Sequence, residues 1–163
     1  MKKKKNQLDS KVKVSGHVFA KIEYADGREE RIDFPNTILK KGRNAITSSL
    51  TNTIGNEFNF FISRMLFGDG GTSGGATKFV NTNRNGLYGI TRANKAVIAQ
   101  VNPEISSQAI FTSVITYAEA NGQVLNEMAL QMNNGDLYSM VTFPDLNKTE
   151  QMQITWSWRI NVV

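Results

Sequence analysis

The chain contains no cysteine in its 163 residues. That excludes disulfide staples, thiolate metal ligands and a thiol nucleophile, and it suits a protein that folds in a reducing cytoplasm. Histidine occurs once, at His17, and proline three times, at Pro35, Pro103 and Pro144. Long apolar runs are also missing. The densest stretch, Phe58–Phe67, is interrupted by Asn59, Ser63 and Arg64, well short of the roughly 20 apolar residues that span a bilayer. Lys2–Lys5 lead into Asn6-Gln7-Leu8-Asp9-Ser10 rather than an apolar segment, so neither a secretory leader nor membrane association is expected.

What is present is globular. A hydrophobic content of 40% is too high for a disordered chain, and the length suits one domain with an adequate core. The formal net charge is +5, but Lys2, Lys3, Lys4 and Lys5 supply four of those charges, so the rest is nearly neutral. Lys40, Lys41 and Arg43 form a small second cluster. Nucleic-acid modules spread basic residues over a face, often beside aromatics that stack on bases. An excess held in one tail reads instead as a solvated arm, or as a tether to an acidic neighbour. Nucleic-acid contact is the lesser alternative.

The hydrophobic pattern has a period of two almost throughout. At the C-terminal end Met152, Ile154, Trp156, Trp158, Ile160 and Val162 alternate with Gln151, Gln153, Thr155, Ser157, Arg159 and Asn161. Successive strand side chains point to opposite faces, so this is a half-buried strand with two indoles in the core. Leu137–Phe143 and Val124–Met132 predict two more strands, joined at Asn134-Gly135 by a tight hairpin with φ > 0 at both positions, and the three together predict a C-terminal meander. Near the start, Val12, Val14, Val18, Ala20, Ile22 and Tyr24 share one face of a strand. Ala25-Asp26-Gly27-Arg28 makes a turn, and Glu29–Phe34 returns until Pro35 removes the ladder donor. Ala45, Ile46, Ser49 and Leu50 fit one helical stripe. Phe58–Phe67, Ala96–Val101 and Ala109–Tyr117 read as further strands. The expected architecture is mainly β, an antiparallel β-sandwich of jelly-roll-like character with one short helix. It comprises a flexible basic arm over residues 1–11 and a single domain over 12–163.

Gly68–Gly75 holds five glycines and is followed by the turn-prone Asn81–Gly86. Ordering such backbone costs about 1–2 kcal/mol per residue. The excursion is therefore expected to be mobile in the free protein and to order against neighbouring subunits, with Asp69, Gly70, Gly71 and Arg84 as contact residues.

Catalytic signatures are weak. The Gly-rich segment lacks the Lys-Ser or Lys-Thr of a P-loop and the strand–turn–helix setting of a dinucleotide site. A lone Asp69 falls short of the six to eight oxygens calcium takes. His17 lies on the polar face of its strand, and no G-x-S-x-G elbow exists. Glu127 falls on the face opposite Val124, Met128 and Leu130, and Asp136 falls in a turn; nothing pairs them for acid–base work. The tryptophans, spaced by two, belong to the core rather than to a sugar site. No enzyme activity, cofactor or metal is expected.

Several separated stretches carry a resemblance. They are Leu125-Asn126-Glu127-Met128-Ala129-Leu130, Asn134-Gly135-Asp136-Leu137-Tyr138-Ser139, Thr142-Phe143-Pro144, Asn147-Lys148-Thr149 and Ile154-Thr155-Trp156-Ser157-Trp158, together with Phe67-Gly68-Asp69-Gly70 and Phe34-Pro35-Asn36-Thr37-Ile38 before Lys41-Gly42-Arg43-Asn44-Ala45. In these the chain resembles virion structural proteins of tailed bacteriophages. Ala129 stands where that pattern commonly has glycine, and Met140 where it commonly has arginine. The resemblance implies a non-enzymatic structural protein of the virion, made in the host cytoplasm. It points first to a capsid decoration (cement) protein that binds the major capsid protein or other virion proteins as a homo-oligomer. A tail, collar or baseplate adaptor or fibre-associated protein is the alternative, and a nucleic-acid-binding β-barrel the third reading. Lys2, Lys3, Lys4, Lys5, Lys40, Lys41, Arg43, Asp69, Gly70, Gly71 and Arg84 are the candidate partner-binding residues.

Overall fold

The computed structural model describes residues 12–51 and 60–163; the basic arm 1–11, with Lys2–Lys5, lies outside the described residues. The long alternating segments form strands as their pattern requires. They are β1 (Val14–Tyr24), β2 (Glu29–Pro35), β10 (Val124–Met132), β11 (Leu137–Asn147) and β12 (Met152–Val162). Shorter strands are β3 (Thr37–Ile38), β4 (Ile62–Gly68), β5 (Thr72–Ser73), β6 (Ala76–Thr77), β7 (Thr91–Ala96), β8 (Ile98–Val101) and β9 (Gln108–Ile115), with one helix, α1 (Lys40–Ser49). Among the described residues they make two five-stranded antiparallel sheets, β2-β1-β12-β9-β8 and β3-β11-β10-β4-β7, and a small β5–β6 ribbon. The expected mainly-β sandwich with one short helix is what the chain forms.

The core fills the space between the sheets. Trp156 and Trp158 are fully buried there with Val18, Ile22, Phe67, Met128, Leu130, Phe143 and Ile154. Rings run across the interior in a chain. Phe34 stacks on Phe143 at 5.3 Å, Phe143 lies 5.5 Å from Trp156, and Trp156 lies 5.4 Å from Phe67. Tilted and offset ring pairs of this kind add to area burial. Neither indole Nε1 finds an acceptor among the described residues.

The chain turns from sheet to sheet at both edges. β2 ends sheet one at Pro35 and β3 begins sheet two at Thr37; β7 ends sheet two at Ala96 and β8 begins sheet one at Ile98. Pro35 pairs with His17 at a position where its missing N–H would face the open edge, and the Asn36 amide still donates to the Gly16 carbonyl at 3.3 Å. The expected stop at Pro35 is therefore not a lost ladder bond to β1.

Several expectations need correction. The last three strands are not a meander: β10 and β11 pair with each other, but β12 crosses the interior and pairs with β1 and β9. The corner responsible is built on Lys148, whose ammonium is buried and donates to Asn121 Oδ1 at 2.9 Å and to the Thr149 carbonyl at 2.7 Å. Burial pushes its pKa below the ordinary lysine value. At Asn134-Gly135 only the glycine has positive φ, at 91°. The turn is a type I turn with a following left-handed glycine, held by Gly135 N–H to Met132 O and Met132 N–H to Asp136 O. Asp26-Gly27 repeats it, with Gly27 N–H to Tyr24 O and Tyr24 N–H to Arg28 O. In both, the Asx side chain accepts the amide two residues on. Of the expected helical stripe Ala45 is buried, together with Gly42, and Ile46 packs partly buried against the core, but Ser49 and Leu50 are exposed. Val12 is exposed as well, and the aromatic-rich strand begins only at Ile62, with Phe58 and Asn59 outside the described residues.

Candidate interaction surfaces

The Gly-rich excursion is built into the fold, contrary to the mobility its glycines predict. Residues 69–90 fold back over the outer face of the second sheet. Val80, Leu87 and Tyr88 pack there with Leu39, Leu66, Ala129, Leu137 and Met140 as a second apolar cluster. β10 is consequently buried on both faces. The excursion is secured by two buried side chains of β10. Glu127 Oε1 accepts the amides of Gly70 and Gly89, at 2.9 and 2.7 Å, and its Oε2 accepts that of Tyr88 at 2.7 Å. Asn126 Oδ1 accepts the Gly71 amide at 2.6 Å, while its Nδ2 donates to Thr72 Oγ1 and Asp145 Oδ1. These bonds satisfy main-chain donors that burial would otherwise leave costly. They also explain the glycines: a methyl at Gly70 would collide with the Gly89 main chain, and one at Gly71 with the Asn126 carbonyl. At the tip Gly74 and Gly75 have φ of 58° and 80°, the two positive values of a two-residue hairpin turn.

Asp69, Gly70 and Gly71 therefore serve the interior of this arrangement rather than a free contact surface. Asp69 Oδ1 accepts the Ile90 amide at 2.8 Å and Oδ2 meets the Arg92 guanidinium at 2.5 Å. Burial acts to raise its carboxyl, but the Arg92 hydrogen bond and the Ile90 amide outweigh that and hold it below the usual carboxylate range.

Lys40, Lys41 and Arg84 come together. They line a polar cleft of about 330 Å³ with Asn44, Thr82, Asn83 and Asn85. The Lys40 amide donates to Thr82 O at 2.8 Å, joining the start of α1 to the excursion. Lys41 is paired with Asp136 at 2.5 Å. Arg84 lies 3.9 Å over the Tyr88 ring and donates to the Gly86 and Leu87 carbonyls, so much of its hydrogen-bonding capacity is spent internally. Arg43 is exposed on the helix and does not line this cleft.

The outer face of the first sheet carries His17, whose Nε2 is 2.7 Å from Asp33 Oδ2. No hydroxyl completes a triad with it among the described residues, nor does any group of three metal-ligating side chains form there. No described helix is long and apolar enough to cross a membrane.

Where β8, β9 and β12 of the first sheet approach Ile62 of β4 and Tyr138 of β11 lies an apolar pocket of about 590 Å³, lined by residues including Phe60, Phe61, Val101, Phe111, Tyr138 and Val162. Sequence reasoning misses both this pocket and the Glu127–Asn126 clamp. The one local signal for the clamp is a carboxylate on the face of β10 opposite its core residues.

In comparisons with known proteins, the chain matches no family model, no curated protein and no solved structure.

Proposed function

We propose that this chain is a non-enzymatic structural protein of a tailed-phage virion, attached to the capsid surface as a decoration protein. The observation that supports the reading is where the scattered stretches of the resemblance fall. Gly68, Glu127 and Thr142 are cross-strand partners in one row through β4, β10 and β11, as are Phe67, Met128 and Val141 in the next. Asp69 and Gly70 continue from that row into the excursion. Pieces far apart in sequence thus act as one unit that clamps a loop to a sheet. The two departures from the pattern, Ala129 and Met140, also face each other in register and are both fully buried beneath the excursion. They amount to one local exchange that leaves the Glu127 clamp intact.

As a decoration protein the chain would act by added interface, each copy bridging neighbouring shell subunits and resisting internal pressure. Specific contacts of this kind bury on the order of 1,000 Å² or more in total, and a repeating lattice multiplies weak contacts through effective concentration. The basic arm and the Lys40–Lys41–Arg84 cleft suit acidic patches on the partner. The decisive experiment is a mass-spectrometric copy number on purified particles. Hundreds of copies support the capsid reading. A dozen or fewer places the chain in the tail or collar, and absence from particles overturns the virion reading altogether.

A further inference from the structure

The two large sheets have four edges, and three of them are defended. β2 carries Glu29, Glu30, Arg31 and Asp33, β3 is two residues long, and β7 carries Arg92 and Lys95. Charge and brevity are the usual means by which proteins prevent a strand from adding to an edge. β8 has neither defence to the same degree: Ile98-Ala99-Gln100-Val101 holds no charge and no proline, and all four residues are exposed.

The ladder fixes which main-chain groups are free. Ile98 faces Thr112 and Val101 faces Ala109, and just beyond them the Asn102 amide donates to the Gln108 carbonyl at 2.8 Å. Hydrogen-bonded pairs recur at every second residue of an antiparallel ladder. Gln100 and Ile98 therefore direct their N–H and C=O groups to β9, while those of Ala99 and Val101 point outward without partners among the described residues. The opposite side of β9 agrees, since Val162 donates to Ser107 O at 2.9 Å. Around this edge the exposed apolar side chains Phe61, Val101 and Val162 line the 590 Å³ pocket, and Ile98 on the strand, Ile105 next to the lining residue Ser106 and Val163 next to Val162 are exposed as well.

We propose that β8 is the docking edge for a second copy of this chain, the two β8 strands pairing antiparallel about a two-fold axis. The outward groups call for an extended, uncharged strand, and β8 itself has that chemistry. A two-fold axis through Gln100 sets Ala99 of each copy opposite Val101 of the other, so both sets of donors and acceptors match. The two Gln100 side-chain amides then face each other at the axis. A self-complementary patch of this kind is what a two-fold dimer requires. Copies with a net charge of +5 repel elsewhere, so a charge-free edge is where they can approach. Four strand residues alone fall short of the roughly 800 Å² per partner that a stable interface buries; the apolar side chains at the pocket mouth extend the contact. This inference stands independently of the virion reading.

The test is sedimentation of the full chain across a concentration series, beside Val101→Lys and Ala99→Pro. Proline at 99 removes an amide that donates to nothing among the described residues, and proline is tolerated at such edge positions. Tryptophan emission from the buried Trp156 and Trp158 reports whether each variant is folded; if Ala99→Pro is not, Val101→Lys decides. The expected result is a wild-type dimer whose Ala99 and Val101 amides are protected from exchange, and folded variants whose dissociation constant rises at least tenfold. A wild-type monomer at every concentration, or folded variants that dimerise like the wild type, overturns the proposal. Protection of those amides only when phage heads are added also overturns it, in favour of a strand from another virion protein.

Discussion

Glu127 and Gly70, 57 residues apart in the chain, are joined by a 2.9 Å hydrogen bond from the glycine amide to a fully buried carboxylate oxygen. With the amides of Tyr88 and Gly89 on the same carboxylate, that bond makes a glycine-rich loop part of the sheet it covers.

Replacing Glu127 with alanine orphans three main-chain donors. Each unmet buried donor costs about 1–3 kcal/mol, so a loss of roughly 3–5 kcal/mol after partial relaxation is expected in urea unfolding. Amide exchange should localise the damage. Gly70, Tyr88 and Gly89 should lose protection first, while the β1–β12 ladder keeps it.

Gly71→Ala tests the close approach directly. The added methyl meets the Asn126 backbone and the Glu127 side chain, so the excursion must lift. A loss of about 2–3 kcal/mol is expected, in the range of overpacking. Gly86→Ala, where a methyl meets nothing within 4 Å, is the matched control and should shift the melting temperature little.

Trp156 is the largest side chain of the aromatic chain through the core. Trp156→Ala should cost about 3–5 kcal/mol as a large-to-small core change. Trp156→Phe should cost much less, because it keeps an aromatic ring in the core and sheds an indole N–H that has no acceptor among the described residues. Equal losses in the two variants, read from denaturant midpoints, would show that the retained ring contributes nothing at this position.

Lys95 and Glu119 give the fold a pH-dependent component. The Lys95 ammonium, with the Thr116 amide and hydroxyl, pushes the Glu119 carboxyl down to about 2. Its folded pKa lies below the unfolded value, so the stability it adds is present above about pH 4.5 and is lost as pH falls towards 2. The Glu119 side chain is 39% exposed, and solvent screening limits the contribution to about 1 kcal/mol. Glu119→Gln should therefore melt below the wild type at pH 7, and the gap should narrow in acid.

The strands with strict alternation are legible in the sequence because burial on one face imposes a period of two. β1 and β12 emerge in this way, with Trp156 and Trp158 inward as their spacing requires. β7 is not legible: Thr91-Arg92-Ala93-Asn94-Lys95-Ala96 offers only alanine as an apolar residue, because an edge strand covers little core. The excursion is misjudged for a different reason. Glycine content measures what ordering costs, while the acceptors that offset it, on Glu127 and Asn126, lie 57 and 55 residues away, and no local pattern reveals them. The cleft of Lys40, Lys41 and Arg84 is half legible: each basic residue stands out in the sequence, but their meeting depends on the excursion folding back onto α1.

β12, the last of the described strands, sits in the middle of its sheet between β1, the first of them, and β9. On the ribosome the β1–β2 and β8–β9 hairpins therefore have no common partner until Met152–Val162 has emerged. Half of the sandwich must wait for that segment, with its apolar inner face open in the meantime. The rows Val18↔Trp158 and Trp158↔Phe111 then close together, in a single step that seats β12 between two hairpins made before it.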